Sequence, residues 1–263
     1  MMPRLPRVGI RQLGCALAGL IALTSFATGC STSSEATASQ AQWSVVALGD
    51  SVPRGTNCDC TPYPPLSAGL QAARTGRPAT TANDSVAGFT TTDVLDQVTS
   101  EKDVEHNVGA ADVVELEVGA NDVAYTNACG TDVACYTPRI PAIERNLAEI
   151  VARVHQLATG GQPLVVLLDY WSVWLGGRYA AEKGPPYVAA AEAVTDEVDD
   201  AIKSTAASTG SAYVDLRAAF KGPGYTYDET RYLSNDGDHP NAAGHRKIAE
   251  AVDAVVKTRL ALP

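Results

Sequence analysis

The chain carries a serine placed to act as a nucleophile. Ser51 follows Gly49 and Asp50, a glycine-led turn that presents a hydroxyl instead of burying it. An alcohol is a weak nucleophile at neutral pH and needs a base to take its proton; imidazole, with an ordinary pKa of about 6.5, is suited to that task. Four histidines are available: His106, His155, His239 and His245. His106 precedes a predicted strand, and His155 and His245 fall in predicted helices. His239 alone lies in a loop-forming run, Asp236-Gly237-Asp238-His239-Pro240. Asp236, three residues earlier, is close enough to fold back and fix the imidazole's tautomer; Asp238 is the local competitor, but side chains of neighbouring residues usually diverge. Two further segments offer hydrogen-bond donors. Gly119-Ala120-Asn121-Asp122 supplies a side-chain amide, and in Asn83-Asp84-Ser85-Val86-Ala87-Gly88 the glycine lets a backbone N–H approach a substrate closely.

Those segments need a scaffold that brings them to one edge. From Trp43 onward, short β-branched runs alternate with helical stretches, the pattern of an α/β domain with a mainly parallel sheet. The predicted strands are 43–48, 79–83, 112–118, 164–168 and 212–216. The predicted helices are 66–74, 92–98, 140–157, 188–207 and 242–260, the last with Ile248, Val252, Val255 and Val256 on one stripe. The pattern predicts a single three-layer α/β/α domain around a five-stranded, mainly parallel, doubly wound sheet. In such sheets ligands bind beyond the carboxyl ends of the strands, and each reactive segment follows a predicted strand.

Taken together and in this order, Gly49-Asp50-Ser51, Gly88, Gly119-x-Asn121-Asp122 and Asp236-x-x-His239-Pro240 resemble the SGNH hydrolases, the GDSL-type esterases and lipases. Val52 stands where the family name expects leucine. The resemblance implies a flavodoxin-like form of that sheet, with Ser51 as nucleophile, His239 as general base and Asp236 as orienting acid. It also implies an oxyanion hole made by the backbone N–H groups of Ser51 and Gly88 and the amide of Asn121. It implies a serine esterase working through an acyl-enzyme, with no cofactor and no metal, on a small ester, a lipid or an acylated sugar. A carbohydrate O-acetylesterase or acyltransferase, a lipase or phospholipase, and a non-catalytic envelope-binding protein are the alternatives. No Gly-x-Ser-x-Gly elbow occurs, which argues against the larger α/β-hydrolase fold. Tyr170, Trp171 and Trp174 follow the fourth predicted strand and are candidates for a substrate pocket.

The composition sets the surroundings of this chemistry. The 263 residues are 45% hydrophobic and carry 20 basic against 30 acidic side chains, so a net charge of −10 disfavours nucleic acid as a partner. Arg4, Arg7 and Arg11 precede an apolar run from Leu13 to Phe26, and no acid appears before Glu35. This is the layout of an export signal, and the run is short for a membrane span. It ends in Ala27-Thr28-Gly29-Cys30, which resembles the lipobox of bacterial lipoproteins, with plain secretion as the alternative. Residues 1–29 are thus read as the signal, 30–42 as a polar flexible tether carrying the lipid on Cys30, and 43–263 as the folded domain, held extracytoplasmically at a membrane. Cys58, Cys60, Cys129 and Cys135 remain for disulfides. Cys129 with Cys135 is favoured, leaving Cys58 and Cys60 to each other or to cross pairs. Cys-x-Cys also binds zinc, but no histidine lies nearby in the sequence. Glu115 and Glu117 alternate with apolar residues on a strand expected to be buried; a basic partner or a wetter face would account for them. The acidic run at 196–200 reads as the solvated side of a helix.

Overall fold

The computed structural model describes residues 42–263. The predicted signal, Cys30 and all but the last residue of the predicted tether lie outside the described residues. The five strands are β1 (Trp43–Gly49), β2 (Ala79–Asn83), β3 (Val113–Glu117), β4 (Leu164–Leu168) and β5 (Ala212–Val214), joined in the order β2-β1-β3-β4-β5 with every pairing parallel. This is the flavodoxin-like order, with the switch point between β1 and β3. Val45, Val46 and Leu48 of β1 and Val113, Val114 and Leu116 of β3 are buried, because helices cover both faces of the sheet. The third strand is shorter than expected at both ends. Asp112 stands just before it, where its carboxylate accepts the backbone N–H of Ser44 at 2.9 Å.

One layer holds α2 (Tyr63–Thr75), α8 (Leu216–Lys221) and α9 (Ala242–Arg259); the other holds α3 (Thr91–Ser100), α4 (Lys102–Gly109), α5 (Ile140–Leu157) and α7 (Pro185–Thr209). Short helices α1 (Ser51–Arg54) and α6 (Gly177–Ala181) complete the order. In α5, Ile143, Leu147, Ile150, Val151 and Val154 form one buried stripe, the 3.6-residue period turned toward the sheet. Helix α3 starts with a reciprocal capping box between Thr90 and Asp93. The acidic run of α7 is not wholly solvated: Asp199 is buried and accepts the N–H of Tyr170 at 3.1 Å, while Arg217 lies against Asp196 and, at 3.7 Å, Asp199. A backbone donor beyond β4 needed that acceptor, and sequence spacing on α7 alone does not show it.

Among the described residues, Glu115 and Glu117 find no basic partner. Both are fully buried and face α2. Glu115 Oε1 accepts from Ser67 Oγ at 2.5 Å and Gln71 Nε2 at 3.3 Å, and Glu117 lies near Tyr63. Burial drives the Glu115 carboxyl up to about 8, outweighing those two hydrogen bonds, and raises Glu117 well above its ordinary value. Burial thus favours the neutral, protonated form of both, which is how a buried strand tolerates them without a counter-charge.

Candidate active site

The turn that carries Ser51 is built by the sheet itself. Asp50 donates its N–H to the Glu117 carbonyl at 3.1 Å, carrying β1 past the tip of β3. Gly49 has φ +141°, and a Cβ there would lie 2.0 Å from the Glu117 carbonyl oxygen, so only glycine permits this approach. Asp50 is buried and caps α1 by accepting the N–H of Val52 at 3.0 Å, which sets Ser51 on the helix's first turn. Its second oxygen accepts the Tyr170 hydroxyl at 2.6 Å. Burial outweighs these bonds and raises the Asp50 carboxyl to about 6.

The imidazole sits on a loop closed upon itself. Leu233 and Pro240 form an antiparallel bridge, Ser234 donates its N–H to the His239 carbonyl at 2.8 Å, and Asn241 caps α9 through Ala243 N–H at 2.8 Å and Gly244 N–H at 3.1 Å. Gly237, at φ +76°, lies against Tyr179; a Cβ would come 2.4 Å from that side chain. Within this loop His239 Nδ1 and Asp236 Oδ2 are 2.7 Å apart. Asp236 Oδ1 accepts the N–H groups of Asp238 and His239, each at 3.1 Å. Burial pushes the Asp236 carboxyl up, but the hydrogen bonds from His239, Asn57 and the backbone outweigh it and hold the group below the usual carboxylate range. Asp238 donates its backbone N–H to Asp236 and is among the residues that line the cavity; burial raises its carboxyl.

Ser51 and His239 line the same cavity, of about 530 Å³, together with Asn121, Asp238, Tyr170, Trp171 and Trp174. One N–H of the Asn121 amide goes to the Phe89 carbonyl at 2.9 Å; an amide has two, so one donor remains. Asp122 accepts from Thr91 N at 2.9 Å and Thr91 Oγ1 at 2.6 Å, tying the turn after β3 to α3. Gly88 is exposed at φ +86° on the loop before α3, one residue from the Asn121 partner, and does not itself line the cavity. The three predicted aromatics do: Trp171 stacks on Phe220 with ring centroids 4.3 Å apart, and Trp174 donates its indole N–H to Val123 O at 2.8 Å. Sequence reading missed Tyr125 and Tyr187, whose rings lie 5.2 and 5.5 Å from Trp174. No strand end or motif marked either residue.

The cysteines pair Cys129 with Cys135 and Cys58 with Cys60. The expectation that no histidine is near Cys58 and Cys60 is corrected by the fold. His245 of α9 brings a ring nitrogen to their sulfurs, the three ligand atoms lying within 4.8 Å of one another. The ring is fully buried and neither nitrogen has a hydrogen-bond partner among the described residues; burial, with the charge of His239, lowers it to about 4 and keeps it neutral. With the sulfurs bonded to each other there is no thiolate, and one imidazole does not make a metal site.

Comparison with known families places this arrangement. The profile of the GDSL-like Lipase/Acylhydrolase family matches residues 47–247, from inside β1 to inside α9. The chain belongs to this family. It is thus an ester-cleaving enzyme of the SGNH type, and the match spans all four reactive segments. No curated protein matches the chain. Among solved structures it is similar to the lipase Lip_vut3 from a goat rumen metagenome, at 17% identity and a TM-score of 0.64 over 81% of this chain and 97% of that one. It is also similar to Axe2, an acetylxylan esterase from Geobacillus stearothermophilus, at 21% identity and a TM-score of 0.58 over 83% and 95% of the two chains. TesA gives 18% identity and a TM-score of 0.56 over 82% and 98%. At these identities the likeness is one of fold, and GDSL-family membership rests on the profile match.

Proposed function

We propose that the chain hydrolyses carboxylic esters through an acyl-enzyme on Ser51. The observation that carries this reading is the His239 Nδ1–Asp236 Oδ2 contact at 2.7 Å, on a loop whose imidazole opens into the cavity that Ser51 also lines. Asp236 holds the proton on Nδ1, so Nε2 keeps a lone pair for the Ser51 hydroxyl. Ser51 Oγ attacks the ester carbonyl carbon and gives its proton to Nε2. The oxyanion is met by the N–H of Ser51 and the free N–H of Asn121, both of which line the cavity, each such donor contributing about 3 kcal/mol to the transition state. Collapse expels the alcohol, which takes the proton from His239. Water, deprotonated by the same imidazole, then releases the acid. Replacing Ser51 with alanine should abolish turnover of p-nitrophenyl acetate, by at least about 10⁴-fold, with the thermal transition unchanged. Undiminished turnover in that variant would refute the assignment.

A carbohydrate ester is the second reading, favoured by one feature of the cavity. Tyr125 is 40% exposed and lines the cavity together with Asn127, Thr131 and Lys183. An open aromatic face next to amide, hydroxyl and ammonium donors suits a sugar ring better than a long acyl chain. Axe2, by its description, acts on acetylated xylan. A chain-length series on p-nitrophenyl esters, run beside acetylated xylooligosaccharides, separates the two: preference for long chains removes the sugar reading. Transfer to a sugar hydroxyl instead of water would make the enzyme an acyltransferase, and product analysis decides. The proposed location is the outer face of a bacterial membrane, by a lipid on Cys30, supported by Arg4, Arg7, Arg11 and the apolar run before that cysteine. Labelled palmitate entering the parent chain but not Cys30→Ala is the expected result.

A further inference from the structure

Asn57 belongs to none of the segments named so far, yet it touches the acid–base pair. It lies six residues after Ser51, on the loop leaving α1, where Thr56 N–H donates to the Ser51 carbonyl at 3.0 Å. Its Nδ2 donates to Asp236 Oδ2 at 2.6 Å, the same oxygen that faces His239 Nδ1. In return Ser234 Oγ, from the Asp236 loop, donates to the Asn57 carbonyl at 3.0 Å. Asn57 adopts φ +58°, a left-handed conformation that asparagine tolerates better than most residues. The next residue, Cys58, is bonded to Cys60, and Asp59 between them is also left-handed, at φ +49°. This small ring is backed by the buried His245 ring, so the turn carrying Asn57 is held from within and from below.

The consequence for the carboxylate is geometric. Oδ1 is fixed by two backbone N–H groups, and Oδ2 has one donor besides the imidazole. Without that donor the carboxylate plane is free to rock about the backbone bonds, taking the imidazole with it. With it, the loop holding His239 is tied to the segment that begins at the nucleophile, across 179 residues of sequence. We infer that Asn57 is a positioning residue that aligns the Asp236–His239 pair with Ser51. The inference rests on the triad assigned above. The low-titrating Asp236 carboxyl agrees with it, since Asn57 is one of the donors that overcome burial there.

Asn57→Gly deletes the amide and keeps a residue at ease with the left-handed backbone. The expected result is a kcat lower by about tenfold with KM within twofold of the parent, the worth of one hydrogen bond to a charged group. Asn57→Asp, which sets a second carboxylate against Asp236, should lower kcat further at neutral pH. In parallel, the ¹³C titration of the Asp236 carboxyl, read without any substrate, should move upward in Asn57→Gly. An unchanged titration together with parental kcat overturns the inference, as does an equal change in kcat and KM with the titration unmoved. If instead Ser51→Ala keeps its activity, the triad reading fails; the Asp236 titration then still reports whether Asn57 holds that carboxylate.

Discussion

The two halves of the candidate site are positioned by opposite means. Ser51 stands on a turn fixed by sheet packing: Gly49 pressed against the Glu117 carbonyl, Asp50 buried, and Val52 capped beneath. His239 stands on a loop beyond β5 that has no strand under it and is held by side-chain and backbone hydrogen bonds, with Asp236 at its centre. Ser51 is therefore held by the packing of the core. His239 is held only by the loop's own hydrogen bonds. Damage at the first place should appear as lost stability, and damage at the second as lost rate in a folded protein.

The sharpest break in that contrast comes from the loop. Asp236→Asn should lower kcat/KM on p-nitrophenyl esters by about 10³–10⁴-fold while the melting temperature stays near the parent's, because the amide favours the wrong imidazole tautomer. Asp238→Asn, one residue from the same imidazole, should cost less than about tenfold; an equal loss in both variants would reassign the orienting acid. At the sheet, Gly49→Ala should cost about 3 kcal/mol or more of stability, or prevent folding, since the new methyl meets backbone. Gly88→Ala has open space around its Cβ and should cost only about 1 kcal/mol, the strain of a positive φ, as measured by chemical denaturation.

A smaller effect probes the strand next to the Ser51 turn. Glu115 titrates at about 8 in the folded chain against an ordinary value of 4.5, so its proton is bound more tightly in the folded state. The stability linked to that proton is complete below about pH 4.5 and is lost as pH rises toward 8. Glu115→Gln should flatten this part of the pH–stability curve, by a few kcal/mol across the window. A curve with the same slope in parent and variant would mean that Glu115 is charged and paired after all.

Much of this was legible in the amino-acid order. Buried parallel strands read as unbroken apolar runs, so Val45–Leu48 and Leu164–Leu168 declared themselves, and the reactive segments announced their places by following such runs. The α4 helix did not, because in Lys102–Gly109 only Val104, Val108 and Gly109 turn inward and the rest is charged or polar. Residues whose role is set by a partner far along the chain were equally silent. Asn57 looks like any turn residue until Asp236 is beside it, Asp199 looks solvated until Tyr170 needs an acceptor, and His245 is far in sequence from the cysteines it packs upon.

The hydroxyl of Tyr170 ties the cavity wall to the turn that bears the reactive alcohol. Anyone reshaping the cavity for a bulkier guest has freedom at Trp174, Tyr125 and Tyr187, none of which is bonded to that turn in this way. Tyr170 is different: trimming it enlarges the space and, in the same stroke, strips Asp50 of a donor directly under Ser51. Room for substrate and poise of the attacking group are coupled there, so a change of specificity at that one position cannot be separated from a change in speed.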